Sequence, residues 1–187
     1  MEPAAGVSGD GELVARARRG DLDAFEELVR RNESTAIRVA SVVCGSAGAE
    51  DAVQEGFIRA FRSLGRFDTA RPFRPWLLRI VVNTAKNRVR AERRYLDLTL
   101  RAPVTDTSDD AGPDAVMAEE RRAALADALA RLPARDRVML ACRWFEDMSE
   151  REIAAMLRIR PGTVKSRLSR AMARLRVELQ ELEVVRD

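Results

Sequence analysis

Apolar residues recur at helical spacing along nearly the whole chain, and no stretch sustains the period-two alternation of a half-buried strand, so the sequence predicts an all-α protein. "ELVARARRGDLDAFEELVRRN" reads as two short helices broken at Gly20, with Asp21 as N-cap of the second and Phe25, Leu28 and Val29 on its inner face. In "AEDAVQEGFIRAFRSLG", Val53, Phe57, Ala60, Phe61 and Leu64 make one continuous apolar stripe opposite a polar face of Asp51, Glu55, Arg59 and Arg62. Two prolines and no periodicity mark "RFDTARPFRP" as a loop, and "WLLRIVVNTAKNRVRAERRY" after it as a long helix that begins apolar and ends basic. Between Asp97 and Ala118 prolines, a glycine and clustered aspartates leave little to bury, which predicts an extended linker. The organisation expected is two small helical domains joined by a flexible linker. Residues 1–10 form a disordered start, 11–95 the first unit, 96–120 the acidic linker and 121–187 the second unit.

The end of the second unit carries a sharper signal. In "SEREIAAMLRIRPGTVKSRLSRAMARL", Ser149 and Glu152 match a capping box, so a helix should run from Ser149 to about Leu157. "RIR" makes the turn, and Pro161 suits the first position of the next helix, where its missing N–H costs nothing. Val164, Leu168, Ala171 and Leu175 would be buried, which leaves Lys165, Ser166, Ser169 and Arg170 pointing outward. That is a helix-turn-helix, whose second helix presents its N-terminal residues to base edges in the major groove. A solvated basic face on a core helix would mix signs, whereas no acid occurs between Glu152 and Arg176.

Charge by segment sharpens this picture. Residues 1–95 carry 17 basic and 13 acidic side chains, residues 96–120 carry 1 and 7, and residues 121–187 carry 15 and 10. Two basic blocks thus flank an acidic one. All but two of the cations are arginine, a bias that GC-rich codon usage also produces, so only their positions are informative. With two cysteines and no histidine, neither a zinc site nor a disulfide framework has enough ligands. Cys44 and Cys142 read as helix-packing residues, and no metal or other cofactor is expected. The start lacks a signal peptide and no apolar run approaches membrane-spanning length, which predicts a cytoplasmic protein. An enzyme reading would rest on Asp51 and Glu55, an acid pair on one helix face with no histidine or glycine-rich phosphate loop beside it.

Both halves resemble one family, the bacterial sigma-70 family of RNA polymerase sigma factors in its small two-domain, extracytoplasmic-function form. "AEDAVQEGFIRAF" is similar to its region 2.2, and "RFDTARPFRPWLLRIVVNTAKNRVRAERR" to regions 2.3 and 2.4. "LPARDRVMLACRWFEDMSEREIAAMLRIRPGTVKSRLSRAMARLR" is similar to region 4. The resemblance implies a transcription initiation factor that directs core RNA polymerase to promoters by their −10 and −35 elements. It implies that Asp51, Gln54 and Glu55 dock on the β′ clamp helices, and that region 4 meets the β flap. Phe67, Asn83, Lys86, Asn87, Arg90 and Arg93 would meet the −10 element, with Asn83 in the pocket of a flipped base and Lys86, Arg88, Arg90, Arg93 and Arg94 on phosphates. Arg160, Thr163, Lys165, Ser166, Arg167, Ser169 and Arg170 would meet the −35 element. An anti-sigma factor, which can hold such a protein at the membrane, is a further implied partner; no small-molecule substrate is. The linker aspartates would pass near the polymerase active centre.

Departures from the family pattern sit in the turn, where Arg158 and Arg160 stand in place of the usual glycine and serine. Trp76 and Phe73 match an F-x-x-W pattern for which core packing is a better reading than base stacking. The alternative function is an autonomous helix-turn-helix regulator, which would bind its operator alone and carry a sensor half of alternating strands and helices.

Overall fold

The computed structural model describes residues 7–96 and 123–186, with side chains over 9–92 and 123–181. All regular elements of the described residues are helical: α1 (Val7–Ala17), α2 (Leu22–Cys44), α3 (Ser46–Ser63), a short 3₁₀ turn (Leu64–Arg66), α4 (Phe73–Leu96), α5 (123–131), α6 (Ala134–Trp144), α7 (Glu150–Leu157) and α8 (Pro161–Arg186). The expected linker over 96–120 lies almost entirely outside the described residues.

The break between the first two helices falls where the sequence places it. Gly20 takes φ +95°, a left-handed conformation that only glycine adopts without strain, and Asp21 then caps α2 by accepting the Ala24 N–H at 3.0 Å. α1 nevertheless starts at Val7, inside the segment expected to be disordered, because Leu13, Val14 and Ala17 give it a buried face against α2. α4 likewise starts at Phe73, three residues earlier than the prolines suggest. Pro75 sits in its first turn, where no intrahelical N–H is required, and Phe73 is buried.

α1 to α4 form a bundle in which α2 contacts the other three and α3 packs along α4. Leu28, Leu77, Leu78 and Val81 are fully buried, each such side chain contributing roughly 1.5–3 kcal/mol of apolar burial. α3 and α4 approach closely because Gly56 faces Val81; a Cβ there would lie 2.9 Å from Val81 Cγ2 and 3.3 Å from its Cα. The predicted α3 stripe is buried at Val53, Phe57, Ala60 and Leu64 but not at Phe61, which is 41% exposed. Phe61 lies on the stripe's edge and stacks edge-on against Phe25 of α2, with ring centroids 4.8 Å apart.

α6, α7 and α8 pack together, and α5 closes a second cluster of Ala128, Leu132, Leu140, Ala171 and Leu175. The two units also dock on each other, α6 against α2 and α7 against α4. Val138, Met139, Cys142, Met148, Ile153 and Met156 share one buried cluster with the α2 and α4 residues. Burial, and then the Glu146 charge, push the Cys142 thiol up to about 12, which makes it an inert packing group. Arg137 of α6 donates to the carbonyls of Val42 and Val43, two of the orphan acceptors at the end of α2.

Candidate polymerase and nucleic-acid interface

The first surface lies between α2 and α3. A groove of about 960 Å³ has Leu22, Phe25, Val29, Ile58 and Phe61 on its walls and Glu50, Asp51 and Gln54 along one edge. Leu22 is 66% exposed and Ile58 46%, an apolar patch that an isolated domain gains nothing by displaying. Of the three residues expected to dock polymerase, Gln54 is exposed, while both acids already hold intrachain partners. Asp51 accepts from Arg88 of α4 at 2.9 Å, and Glu55 from Arg59 at 2.5 Å. Phe25, Val29 and Phe61 read from the sequence as core positions rather than as a groove, whereas Ile58 falls off the buried stripe and so signals a second apolar face.

The second surface is the free face of α4. Asn83, Asn87 and Arg90 are exposed along it, and Lys86 is half-buried. Burial, then the charge of Arg90, hold the Lys86 ammonium below its ordinary value, which favours an anion beside it. Arg88 is turned from this role by Asp51. Arg93 and Arg94 lie in the last turns of α4, outside the residues whose side chains are described. Phe67 is not displayed to a base here: it is 5% exposed and packs on Phe73 and Trp76, at centroid distances of 5.8 and 4.7 Å. Trp76 is half-buried in the same aromatic group, in line with core packing.

The third surface is the helix-turn-helix. Ser149 accepts the Glu152 N–H and Glu152 accepts the Ser149 N–H, a complete capping box at the start of α7. Val164, Leu168, Ala171 and Leu175 are buried as expected, so Arg160, Lys165, Ser166, Arg167, Ser169 and Arg170 are exposed and Thr163 is half-buried. Ser166 donates to the Thr163 carbonyl at 3.1 Å and keeps its acceptor capacity outward. Arg167 and Arg170 converge with Arg135 and Arg174 around Asp136, which is buried and paired with Arg174. Arg135 and Arg174 thereby extend the cationic face beyond the residues read from the sequence.

The turn stores strain. Arg158 ends α7 in the left-handed conformation, φ +53° and ψ +47°, which costs an L-residue about 1–2 kcal/mol. Burial, and then the charge of Arg158, lower the pKa of Arg79 on α4. Arg158→Gly should therefore stabilise the protein by about 0.5–1 kcal/mol, after the added flexibility of the unfolded chain is subtracted. Urea unfolding measures this, and a loss of more than about 1 kcal/mol would contradict the strain argument.

Among the described residues no group of three His, Cys, Asp or Glu side chains is placed to hold a metal ion, and no helix is long and apolar enough to cross a membrane. Together the surfaces define a helical protein of two units, with an exposed apolar groove and an amide-and-cation face on the first and a cationic helix-turn-helix on the second. Residues 28–95 match the family model for sigma-70 region 2, and residues 122–175 that for sigma-70 region 4. The chain is 34% identical to the RNA polymerase sigma-H factor of Pseudomonas aeruginosa, across 92% of this chain and 95% of that one. It is 31% identical to the ECF RNA polymerase sigma factor SigW of Bacillus subtilis, across 90% and 96%. The structure of CnrH in complex with the cytosolic domain of CnrY superposes on it with a TM-score of 0.68 at 30% identity, covering 92% of this chain and 98% of CnrH. The chain belongs to the sigma-70 family of RNA polymerase sigma factors, in its extracytoplasmic-function type.

Proposed function

We propose that this sigma factor docks core RNA polymerase at the α2–α3 groove and carries it to promoters by reading the −10 element with α4 and the −35 element with α8. What carries the reading is the separation of three chemistries on one chain, matched in order to regions 2 and 4: an apolar groove with acids and an amide in its lining, an amide-and-cation face on α4, and a recognition helix without an acid from Pro161 to Val177. The apolar groove suits a protein helix, with Gln54 and the paired acid Asp51 on its rim setting orientation, and Glu55, paired with Arg59, on the same helix outside the groove. Asn83 offers an amide to a base edge, while Lys86, Asn87, Arg90 and Arg93 meet backbone or base nearby. On α8, Lys165, Ser166, Ser169 and Arg170 reach base edges, while Thr163 and Arg167, with Arg160 of the preceding turn, hold the flanking phosphates. The protein itself makes and breaks no covalent bond; the polymerase performs nucleotidyl transfer.

An autonomous regulator would carry a sensor half with strands, whereas the regular elements of residues 7–96 are all helical and residues 28–95 match region 2. CnrH is bound by the cytosolic domain of CnrY in its structure, and the sigma factor RpoE of Bartonella quintana by the anti-sigma factor NepR in its own; an anti-sigma factor is accordingly an expected partner here, one that would supply any membrane attachment. The boundaries 11–95 and 121–187 are the working units for these assignments.

In-vitro transcription of a pool of genomic fragments tests the reading, with the protein alone, core polymerase alone and the two together. Defined starts sharing two spaced upstream elements are expected only with both. Arg170→Ala should then lower initiation by roughly 10–100-fold at promoters that depend on the −35 element, the cost of one lost base contact. Equal loss on templates stripped of that element would show that Arg170 does not read DNA.

A further inference from the structure

On the first unit, two helices aim their donors at one point. Thr35 and Arg38 come from α2, and Arg74 from the first turn of α4. What they hold is a carboxylate of the second unit: Glu146, whose side chain is 2% exposed. Thr35 Oγ1 donates to one of its oxygens at 2.8 Å, and Arg38 grips both, Nε at 2.6 Å and a terminal nitrogen at 2.9 Å. Arg74 adds a terminal N–H at 3.2 Å. Burial alone would raise the Glu146 pKa, but the hydrogen bonds from Arg38 and Thr35 and the two positive charges outweigh it, so the group is held below the ordinary carboxylate range and stays ionised.

One donor of this cradle is unserved. Arg74 Nε is buried and has no acceptor among the described residues. A carboxylate has only two oxygens, both already engaged, whereas a phosphodiester offers two charged and two ester oxygens on a tetrahedral frame. Paired guanidiniums and a hydroxyl are the donor set that such a group takes. The docked second unit also reaches the neighbouring loop, where Glu152 of α7 lines a cavity of about 180 Å³ together with Asp10, Phe67, Thr69, Arg71 and Arg74.

We propose that Thr35, Arg38 and Arg74 form a phosphate seat for single-stranded promoter DNA, and that Glu146 fills it as an internal mimic whenever the two units are docked. Strand binding and docking then compete for the same two arginines, so this seat is closed to a DNA strand until the units part. The proposal rests on the reading that the first unit engages the −10 strand.

The test uses the full chain and a fluorescein-labelled single-stranded DNA of mixed sequence, titrated by anisotropy across a salt series. Glu146→Gln should bind roughly tenfold tighter than the parent, with a log–log salt slope steeper by about 0.7, the value for one more neutralised phosphate on a single strand. Asp147→Asn removes the same charge at the exposed neighbouring position and should change neither quantity. Adding Arg38→Gln to Glu146→Gln should return both to the parental values. No tightening in Glu146→Gln, equal tightening in Asp147→Asn, or a gain that survives Arg38→Gln would each overturn the seat. Arg38→Gln alone, at a half-exposed position, gives a second reading. With core polymerase bound, it should shorten open-complex lifetime about fivefold at unchanged polymerase affinity, and an unchanged lifetime overturns the seat. The anisotropy assay needs no polymerase, so failure there leaves polymerase-dependent initiation standing, and failed initiation leaves the binding isotherms intact.

Discussion

Ile58→Glu should abolish stable binding to core RNA polymerase, weakening it by about 100-fold or more, while leaving thermal unfolding within a few degrees of the parent. Ile58 sits on α3 one turn after Gln54, with Phe61 one turn further and Leu22 across the groove, so it lies near the centre of the patch assigned to polymerase. Interface energy concentrates in such central apolar side chains, and a carboxylate there would be buried without a partner when polymerase docks. Because Ile58 is nearly half exposed in the free protein, the same carboxylate stays solvated before binding, and the fold loses little. Asp51→Lys is a less clean variant, since it would also set a cation against Arg88 and press α3 from α4. Equilibrium binding of labelled protein to core polymerase, with circular dichroism melting in parallel, decides the matter. A loss of affinity below about threefold would remove the groove from the docking surface.

Gly56→Leu should cost the protein about 3 kcal/mol or more, the largest loss of stability expected from one exchange outside the hydrophobic side chains. The position tolerates no side chain because α3 and α4 meet there, with Val81 Cγ2 2.9 Å from where a Cβ would lie. Val81 is β-branched and fully buried between α3 and the rest of the bundle, so it has no other rotamer to move to, and its own Cα is within 3.3 Å. Gly56→Ala is the graded case. Helix propensity favours alanine by about 1 kcal/mol, which the forced shift of Val81 cancels or exceeds. Adding Val81→Ala to Gly56→Ala should recover part of the loss, a coupling that a double-mutant cycle in urea reads directly. Additive single effects would show that the two helices do not meet at these residues.

The legible part of this protein is what lies within one or two turns of helix. The break at Gly20 and Asp21, the capping box at Ser149 and Glu152, Pro161 opening α8 and the buried row from Val164 to Leu175 all follow from contacts between residues three to eleven apart. Those carry their signature in the spacing of residue types. The outward face of α8 was readable for the same reason, because a buried stripe defines its opposite. Where an apolar residue sits at the edge of a stripe, spacing leaves its fate open, and Phe61 lies on a groove because no described element covers that side of α2 and α3.

Charged residues were the least legible. Asp51 and Glu55 read as a free acidic edge, yet Arg88 and Arg59 take them, and Phe67 reads as a base contact yet is buried against Trp76. Nothing local marks Glu146 as buried, since its partners Thr35, Arg38 and Arg74 stand more than seventy residues away and on two other helices. A helix repeats every few residues and so announces its own faces, whereas the meeting of two finished units depends on the shape and charge of surfaces that the chain order does not bring together. Two helical units, their caps and the recognition face were written along the chain; their docking, and the carboxylate held at its centre, came from packing.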